Sequence, residues 1–213
     1  MKTITCYLDF ISPYAYLAFE ALPKSLQGCG SYQVIYKPVL FAAMLKRYGH
    51  LGPAEIEGKR AWTYRQVLWQ AHQHQITLDM PGAHPFNPLA LLRLALACGS
   101  QGAVNRYVCE TIFRHVWRGG AAADDAQRLQ ALTQQLQPPC APDCEAVKTQ
   151  LKTNTQEAIA QGVFGVPAMV VDDKLFWGSD ALPMLRAYLQ HDPWFATDRW
   201  ESVETIALGI TRN

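Results

Sequence analysis

Ser12 occupies the position in this 213-residue chain that is best suited to chemistry. An apolar, β-branched run over residues 3–10 stops just before Ser12-Pro13, and an apolar helical pattern follows. Serine is a preferred helix N-cap, and proline suits the first helical turn. A hydroxyl at this place also lies at the positive end of the helix dipole, where it can hydrogen-bond a negatively charged atom of a ligand. The local pattern leaves both interpretations open, a simple cap and a functional hydroxyl.

Two further short motifs have the residue types of a binding site. Val166-Pro167 precedes a strand-like run, and a cis bond there would leave the backbone N–H and C=O of residue 166 free to pair with an extended ligand. A trans proline at a strand start is the more common alternative. Ser179-Asp180 precedes a helical pattern that runs to about Leu189, so its amides suit a carboxylate and its side chains suit a cap.

The elements that must position these residues follow from the hydrophobic periodicity. Residues 3–10, 14–26 and 32–37 read as strand, helix and strand, which is a β-α-β unit. Residues 41–160 are almost entirely helical in pattern, and Trp62 and Trp69, seven apart, are expected to share a buried face. Residues 168–171 and 175–177 then predict a hairpin.

Composition excludes several classes of function. A net charge of +1 with 17% charged residues gives no electrostatic footprint for nucleic acid or an anionic membrane. No apolar run approaches the roughly 20 residues that span a bilayer. No apolar signal region precedes the first strand, and the six cysteines are expected to be reduced thiols, so we expect a cytoplasmic protein. His72 and His74 are two apart on a helix and face different ways, so we expect no metal site.

Taken together, the motifs resemble one known family. Ser12-Pro13-Tyr14, Gly165-Val166-Pro167 and Trp177-Gly178-Ser179-Asp180 have the order and spacing found in 2-hydroxychromene-2-carboxylate isomerases. That glutathione-dependent group is related to kappa-class glutathione transferases and DsbA-type oxidoreductases. The similarity covers about residues 2–190 and includes Gly49-His50-Leu51-Gly52-Pro53, Lys59, residues 84–89 and Val116-Trp117. The family usually has Asn where this chain has His50.

The resemblance implies an α/β, thioredoxin-like fold with a large all-helical domain inserted after the first β-α-β unit. Residues 1–40 and 162–190 would form the discontinuous thioredoxin-like domain, residues 41–161 the helical domain and residues 191–213 a C-terminal tail. Relatives of the thioredoxin type carry a Cys-x-x-Cys pair at this first strand–helix junction. Ser12 and Ala15 stand there in this chain, so the site lacks both the attacking and the resolving thiol of disulfide exchange.

The resemblance also implies roles for individual residues. Ser12 would be catalytic, because its hydroxyl would hydrogen-bond the glutathione sulfur and favour the thiolate. The implied glutathione-binding residues are His50, Lys59, Val166, Pro167, Ser179 and Asp180. Val166-Pro167, which the resemblance implies is cis, would pair with the cysteinyl backbone, and Ser179-Asp180 would bind the γ-glutamyl end. Lys59 and His50 would contact the glycyl carboxylate and the peptide backbone.

The implied function is a glutathione-dependent isomerase in aromatic compound catabolism. It would interconvert 2-hydroxychromene-2-carboxylate and trans-o-hydroxybenzylidenepyruvate, or a similar conjugated 2-oxo acid, with glutathione as a cofactor that is not consumed. The expected partners are a small aromatic carboxylate and a second copy of the chain, with no nucleic acid and no membrane. Two alternatives stay open, a kappa-type glutathione transferase or peroxidase and a non-catalytic thioredoxin-fold binding module.

Overall fold

The computed structural model describes residues 1–207 and residue 209. The strands are β1 (Lys2–Leu8), β2 (Tyr32–Pro38), β3 (Ala168–Val171) and β4 (Lys174–Trp177). The helices are α1 (Pro13–Ser25), α2 (Phe41–Tyr48), α3 (Glu57–His74), α4 (Leu89–Ala97), α5 (Arg106–Trp117), α6 (Ala126–Leu136), α7 (Glu145–Ala160), α8 (Leu182–Leu189) and α9 (Arg199–Ser202). Short 3-10 turns precede α3 and α8.

One mixed sheet combines the first two strands with the last two, in the order β2-β1-β3-β4. β1 pairs in parallel with β2 and antiparallel with β3, and β3 pairs antiparallel with β4. β1 is therefore an inner strand with neighbours on both sides, and its residues from Cys6 to Leu8 are all buried. This inner position brings the end of β1, where Ser12 follows, beside the segment that enters β3.

The six helices α2 to α7 all lie in the part of the chain between β2 and β3. α4 is buried nearly all round, as its sequence predicts, because it packs against α5, α6, α7 and β2. The boundaries of the inserted domain stay a prediction. Among the described residues, no helix is both long enough and apolar enough to cross a membrane.

Several local expectations are corrected by the structure. β1 ends at Leu8 rather than Phe10, because Asp9 and Phe10 turn away to approach Ser12. α8 begins at Leu182, so Ser179 and Asp180 form a 3-10 turn before it and do not cap it. Trp62 and Trp69 share a face of α3 as their spacing predicts, but that face is exposed, at 64% and 60%. A seven-residue spacing fixes which residues share a face and does not decide whether the face is buried.

The segment after α8 covers one end of the sheet. The rings of Phe195 and Trp200 lie 6.3 and 5.4 Å from that of Phe176 in β4. Lys174 of the same strand pairs with Glu201 at 2.7 Å. This part of the predicted tail therefore packs on β4, while residue 208 and residues 210–213 lie outside the described residues.

Candidate functional site

Ser12 lies in the loop between β1 and α1, directly before the first residue of α1, and its side chain is buried. Its Oγ accepts a hydrogen bond from the Ala15 amide at 3.2 Å, which makes Ser12 the N-cap of α1. Pro13 occupies the first helical position, where its missing N–H costs nothing. The hydroxyl proton is directed to the Val166 carbonyl oxygen at 3.4 Å, a long bond that a better acceptor can replace.

The loop from Asp9 to Ser12 is fixed by partners from distant parts of the chain. The indole Nε1 of Trp117 donates to the Phe10 carbonyl at 3.0 Å, and His84 Nε2 donates to the Ile11 carbonyl at 2.8 Å. The Ser12 amide donates to the Asp9 carbonyl at 3.1 Å. Because both peptide carbonyls before Ser12 are held, the orientation of its side chain is set by α5 and the 84–89 segment as well as by its own helix.

His84 has a defined protonation state in this arrangement. A carbonyl oxygen only accepts, so the Nε2 that faces Ile11 must carry a proton. The other ring nitrogen, Nδ1, lies 2.9 Å from the Tyr64 hydroxyl. Burial lowers the pKa of His84, because its charged form loses hydration. A neutral His84 therefore donates to Ile11, and its Nδ1 and its backbone carbonyl oxygen, at 2.9 and 3.0 Å, share the one proton of the Tyr64 hydroxyl.

Asp9 is a fully buried carboxyl directly before this loop. Its oxygens accept from the amides of Phe41 at 2.9 Å and Ile11 at 3.2 Å. Burial raises its pKa to about 7, and the backbone N–H groups that favour the carboxylate only partly offset that rise. Asp9 thus ties β1, α2 and the Ser12 loop together while it keeps a titratable proton near neutral pH.

Val166-Pro167 lies opposite Ser12, and the bond between the two residues is cis, as expected. The Pro167 carbonyl accepts from Gly178, which anchors the segment to the end of β4. The Val166 amide donates to no residue that the structure describes. The residue whose carbonyl the Ser12 hydroxyl contacts therefore also carries a backbone donor that has no acceptor among the described residues.

Ser179 and Asp180 lie in the 3-10 turn that follows β4 and packs on α1. Gly178 before them has φ +96°, and a Cβ there would lie 2.3 Å from Asp180 Oδ1, so glycine is required for this turn. The Ser179 hydroxyl lies 3.3 Å from Gln70 Oε1 of α3. The amides of both residues are without an acceptor among the described residues, which leaves them available to a carboxylate.

α3 joins this turn to α1 through two glutamines on one face. The Tyr14 hydroxyl donates to Gln66 Oε1 at 2.7 Å, and Gln70 follows one turn later. Burial and the nearby charge of Asp180 raise the pKa of Tyr14, so its phenol stays protonated. Lys59 lies seven residues before Gln66, on the same face and about 10 Å along the helix axis. Its exposed ammonium is thus at the far end of the face that contacts the Ser12 region.

His50 lies apart from this cluster, on the exposed turn that follows Gly49 at the end of α2. Its amide donates to Leu45, and its imidazole has no hydrogen bond to any described residue. The structure shows no contact between His50 and the other residues of the implied set.

Two aromatic rings border the cis-proline segment. Phe164 and Trp177 have ring centroids 4.8 Å apart, and both are exposed, at 38% and 53%. Trp177 lies on Gly165, since a Cβ there would be 2.8 Å from its Nε1. An apolar aromatic surface therefore begins two residues from Val166.

Two cavities of the described molecule lie elsewhere. One of about 470 Å³ is lined by α5 and α6, and one of about 380 Å³ by α1 and α8. Neither is lined by Ser12 or Val166. We place the candidate site at the Ser12 cluster, because buried and unpaired hydrogen-bonding groups meet there.

Sequence reasoning assigned no role to the residues that hold the Ser12 loop. His84 and Trp117 stand in segments that contribute to the family resemblance, which was the one signal available for them. Asp9, Gln66 and Gln70 have no comparable signal, because their partners are remote in sequence.

Comparison with known proteins places the chain in a family. A family model for the DSBA-like thioredoxin domain matches residues 3–190. The chain belongs to this family. A solved structure of a 2-hydroxychromene-2-carboxylate isomerase has the same fold as this DSBA-like protein, with a TM-score of 0.76 at 22% identity, and covers 94% of this chain and 98% of its own. The predicted fold is therefore confirmed.

Named enzymes are found among the sequence relatives of this DSBA-like protein. A 2-hydroxychromene-2-carboxylate isomerase from Sphingobium xenophagum is 30% identical over 196 residues, covering 88% of this chain and 98% of the relative. Glutathione S-transferase kappa 1 from Rattus norvegicus is 24% identical over 211 residues, covering 91% and 92%. These relatives confirm the family resemblance and support an enzyme of isomerase or glutathione transferase type.

Proposed function

We propose that this protein is a glutathione-dependent isomerase of a conjugated aromatic 2-oxo acid, of the 2-hydroxychromene-2-carboxylate type. The observation that carries the proposal is the Ser12 cluster. A buried hydroxyl at a helix N-terminus donates to the Val166 carbonyl, the amide of Val166 has no acceptor among the described residues, and no thiol stands at residue 12 or 15. Such a site can stabilise a ligand's thiolate and cannot itself exchange disulfides.

The chain's own groups suit glutathione in several respects. The Val166 amide and carbonyl offer an extended backbone edge for a peptide ligand. The free amides of Ser179 and Asp180 suit the α-carboxylate of the γ-glutamyl end, and the Asp180 carboxylate suits its ammonium. Lys59 would meet the glycyl carboxylate from the N-terminal end of α3.

Glutathione, when bound, would supply the nucleophilic sulfur that adds to the conjugated system and leaves again after the former double bond has rotated. Ser12 would give up its long bond to the Val166 carbonyl and donate to the sulfur instead. The Ala15 amide donates to the Ser12 oxygen, which makes the hydroxyl a stronger donor. The N-terminal dipole of α1 adds to the stabilisation of negative charge at that point.

The aromatic rings beside the cis-proline segment support an aromatic substrate. Phe164 and Trp177 are exposed next to Val166, where a flat conjugated ring can stack at low cost. This pair gives the aromatic part of the substrate a surface within the same region as the reacting sulfur.

The decisive experiment follows thiolate formation. Glutathione is titrated into the purified protein at neutral pH, and thiolate is measured by its ultraviolet absorbance. We expect saturable thiolate in the wild type and about 10- to 100-fold less in Ser12→Ala, the effect of losing one hydrogen bond to a charged atom. Ser12→Gly checks the cap, because glycine at an N-cap costs only a few tenths of a kcal/mol.

Ser31→Ala, an exposed serine outside the site, is the matched control and should behave as the wild type. Unchanged thiolate in both Ser12 variants would contradict the role of the hydroxyl. Absence of any glutathione binding would favour a non-catalytic binding module.

A kappa-type glutathione transferase is the second candidate, favoured by the relative from Rattus norvegicus. The two activities differ in whether glutathione is consumed. Turnover of a conjugated 2-oxo acid at constant total glutathione supports the isomerase, and net loss of glutathione supports the transferase.

A further inference from the structure

One face of α3 runs from the core of the molecule to solvent and ends in a cation. At about 100° per residue, four residues share this face: Arg60, Tyr64, Val67 and Ala71. Val67 and Ala71 pack with Leu17 of α1 and are 0% and 4% exposed. Tyr64 is half-buried and Arg60 is exposed. The face that packs on α1 therefore becomes open at the N-terminal end of α3, where Arg60 lies.

The open end of this face is connected to the Ser12 loop by two hydrogen bonds. Arg60 lies one helical turn before Tyr64, whose hydroxyl is 2.9 Å from His84 Nδ1. His84 Nε2 in turn donates to the carbonyl of Ile11, the residue before Ser12. Burial lowers the pKa of His84, and the positive charge of Arg60 lowers it further, because the charge is near the ring. Arg60 therefore lies on the side of α3 that faces the His84 support of the candidate site.

The Arg60 guanidinium is oriented by the protein and keeps donors free. Its Nε donates to the carbonyl of Ala54 at 2.8 Å, and Ala54 is buried in the 3-10 turn before α3. Glu55 of the same turn accepts from the Gly52 amide. Within residues 1–207, Nη1 and Nη2 of Arg60 have no acceptor, and no carboxylate pairs with them. A guanidinium held in this way presents two donors that match the two oxygens of a carboxylate.

Arg60 and its neighbour Lys59 occupy different sides of α3, since successive helical residues are about 100° apart. Lys59 shares its side with Gln66 and Gln70, which bond to the Tyr14 and Ser179 side chains. That is the side on which glutathione is proposed to bind. The proposed reaction brings together two ligands that each carry a carboxylate, and Arg60 is the cation on the side that glutathione leaves free.

We propose that Arg60 binds the carboxylate of the conjugated 2-oxo acid. This inference rests on the proposed isomerase function and adds the residue that selects a charged substrate over an uncharged analogue. The carboxylate makes and breaks no bond in the reaction, so Arg60 holds it equally in the ground state and in the transition state. Loss of Arg60 should therefore raise the KM for the oxo acid and leave kcat and the KM for glutathione near the wild type.

The test compares 2-hydroxychromene-2-carboxylate with its methyl ester, at saturating glutathione, in the wild type and in Arg60→Met. Methionine keeps an unbranched side chain and removes the charge. We expect a rise of about 10- to 100-fold in the KM for the carboxylate, the effect of losing hydrogen bonds to a charged group, and an unchanged KM for the ester. Arg60→Lys should be intermediate, because an ammonium keeps the charge and lacks the paired donors.

Arg65→Met is the matched control. It removes the same charge from the exposed side of α3 that carries Trp62 and Trp69, and it should behave as the wild type. The role of Arg60 is overturned if Arg60→Met leaves the KM for the carboxylate unchanged or raises the KM for glutathione instead. It is also overturned if the ester and the carboxylate are weakened equally, which is the result expected when only the Ala54 anchor matters.

Glutathione thiolate, measured by its ultraviolet absorbance, separates this inference from the proposed function. Arg60→Met should form as much thiolate as the wild type. A wild type that forms no thiolate and turns over no oxo acid would remove the proposed function and the role of Arg60 with it. A wild type that does both, beside an Arg60→Met variant with an unchanged KM for the carboxylate, would remove the role of Arg60 alone.

Discussion

The two halves of the candidate site are built in different ways. The inner half, Ser12 and Val166 with the loop that begins at Asp9, is buried and tied by hydrogen bonds from α5, the 84–89 segment and α2. The outer half consists of the proposed glutathione contacts Lys59, His50 and Asp180, whose side chains are exposed. The hydrogen bonds of the inner half are formed without a ligand. The outer half exposes two charged side chains and an imidazole ring to solvent.

Because of this difference, we expect the inner half to affect the rate of turnover and the outer half to affect the affinity for the proposed ligand, glutathione. Groups that are fixed before binding stabilise a developing charge at little reorganisation cost, so the inner half should govern turnover. Exposed charges act through water and add little each, so the outer half should govern how tightly glutathione is held. Variants in the two halves should therefore change different kinetic constants.

The largest effect on turnover is expected at His84. His84→Phe removes the donor to the Ile11 carbonyl and leaves that partly buried acceptor unpaired. We expect a loss of about 1–3 kcal/mol in the free energy of unfolding and a several-fold lower kcat, with little change in the KM for glutathione. Denaturant titration and steady-state kinetics measure both quantities.

His84→Gln provides the matched control, because its amide nitrogen can replace Nε2 as a donor. Partial recovery of kcat in this variant would show that His84 positions Ser12. Equal kcat in the wild type and in His84→Phe would contradict that role, even if the variant were less stable.

Asp9 should change the pH dependence of stability more than it changes turnover. Its pKa is raised from 3.8 to about 7 in the folded protein, so the folded state holds its proton over a wider range than the unfolded state. The resulting stabilisation is fully present below about pH 4 and is lost as the pH rises through about 7. Its size is on the order of a few kcal/mol. A carboxyl ¹³C NMR titration should show Asp9 titrating near neutral pH, and titration below pH 4 would show that the inner half is solvated.

The smallest effects are expected in the outer half. Lys59→Met keeps the aliphatic stem and removes the charge, and Asp180→Asn keeps the shape of the side chain. Each should raise the KM for glutathione about two- to fivefold, which matches the ~0.5–1 kcal/mol of an exposed ion pair, and should leave kcat near the wild type. A large fall in kcat in either variant would erase the distinction between the two halves.

The sequence predicts those parts of the molecule that depend on local pattern. The strand–helix junction at Ser12 and the hairpin after Pro167 follow from periodicity and from proline and N-cap preferences. The family resemblance adds the prediction that Ser12 and Val166 face each other. No local sequence pattern predicts this. The prediction that Ser179 and Asp180 cap α8 was wrong, because the Ser179 hydroxyl donates to Gln70 of α3 and not to a group of α8.

The supporting groups could not be predicted, for a physical reason. Trp117 and His84 act through backbone carbonyls that lie 107 and 73 residues away along the chain. A main-chain carbonyl has the same chemistry at every residue, so the sequence does not mark which one a side chain will bind. The exposed face of Trp62 and Trp69 shows the same limit, since burial depends on what packs against a helix.

The contact between Ser12 and Val166 also determines at what stage of synthesis the candidate site can form. The two residues are 154 positions apart, and the pairing of β1 with β3 spans a similar separation. A chain emerging from the ribosome presents Ser12 early, yet it must add every helix from α2 to α7 before Val166 is synthesised. The nascent protein therefore has no complete site until Val166 has been translated, and a chain interrupted before that point carries Ser12 without its partner.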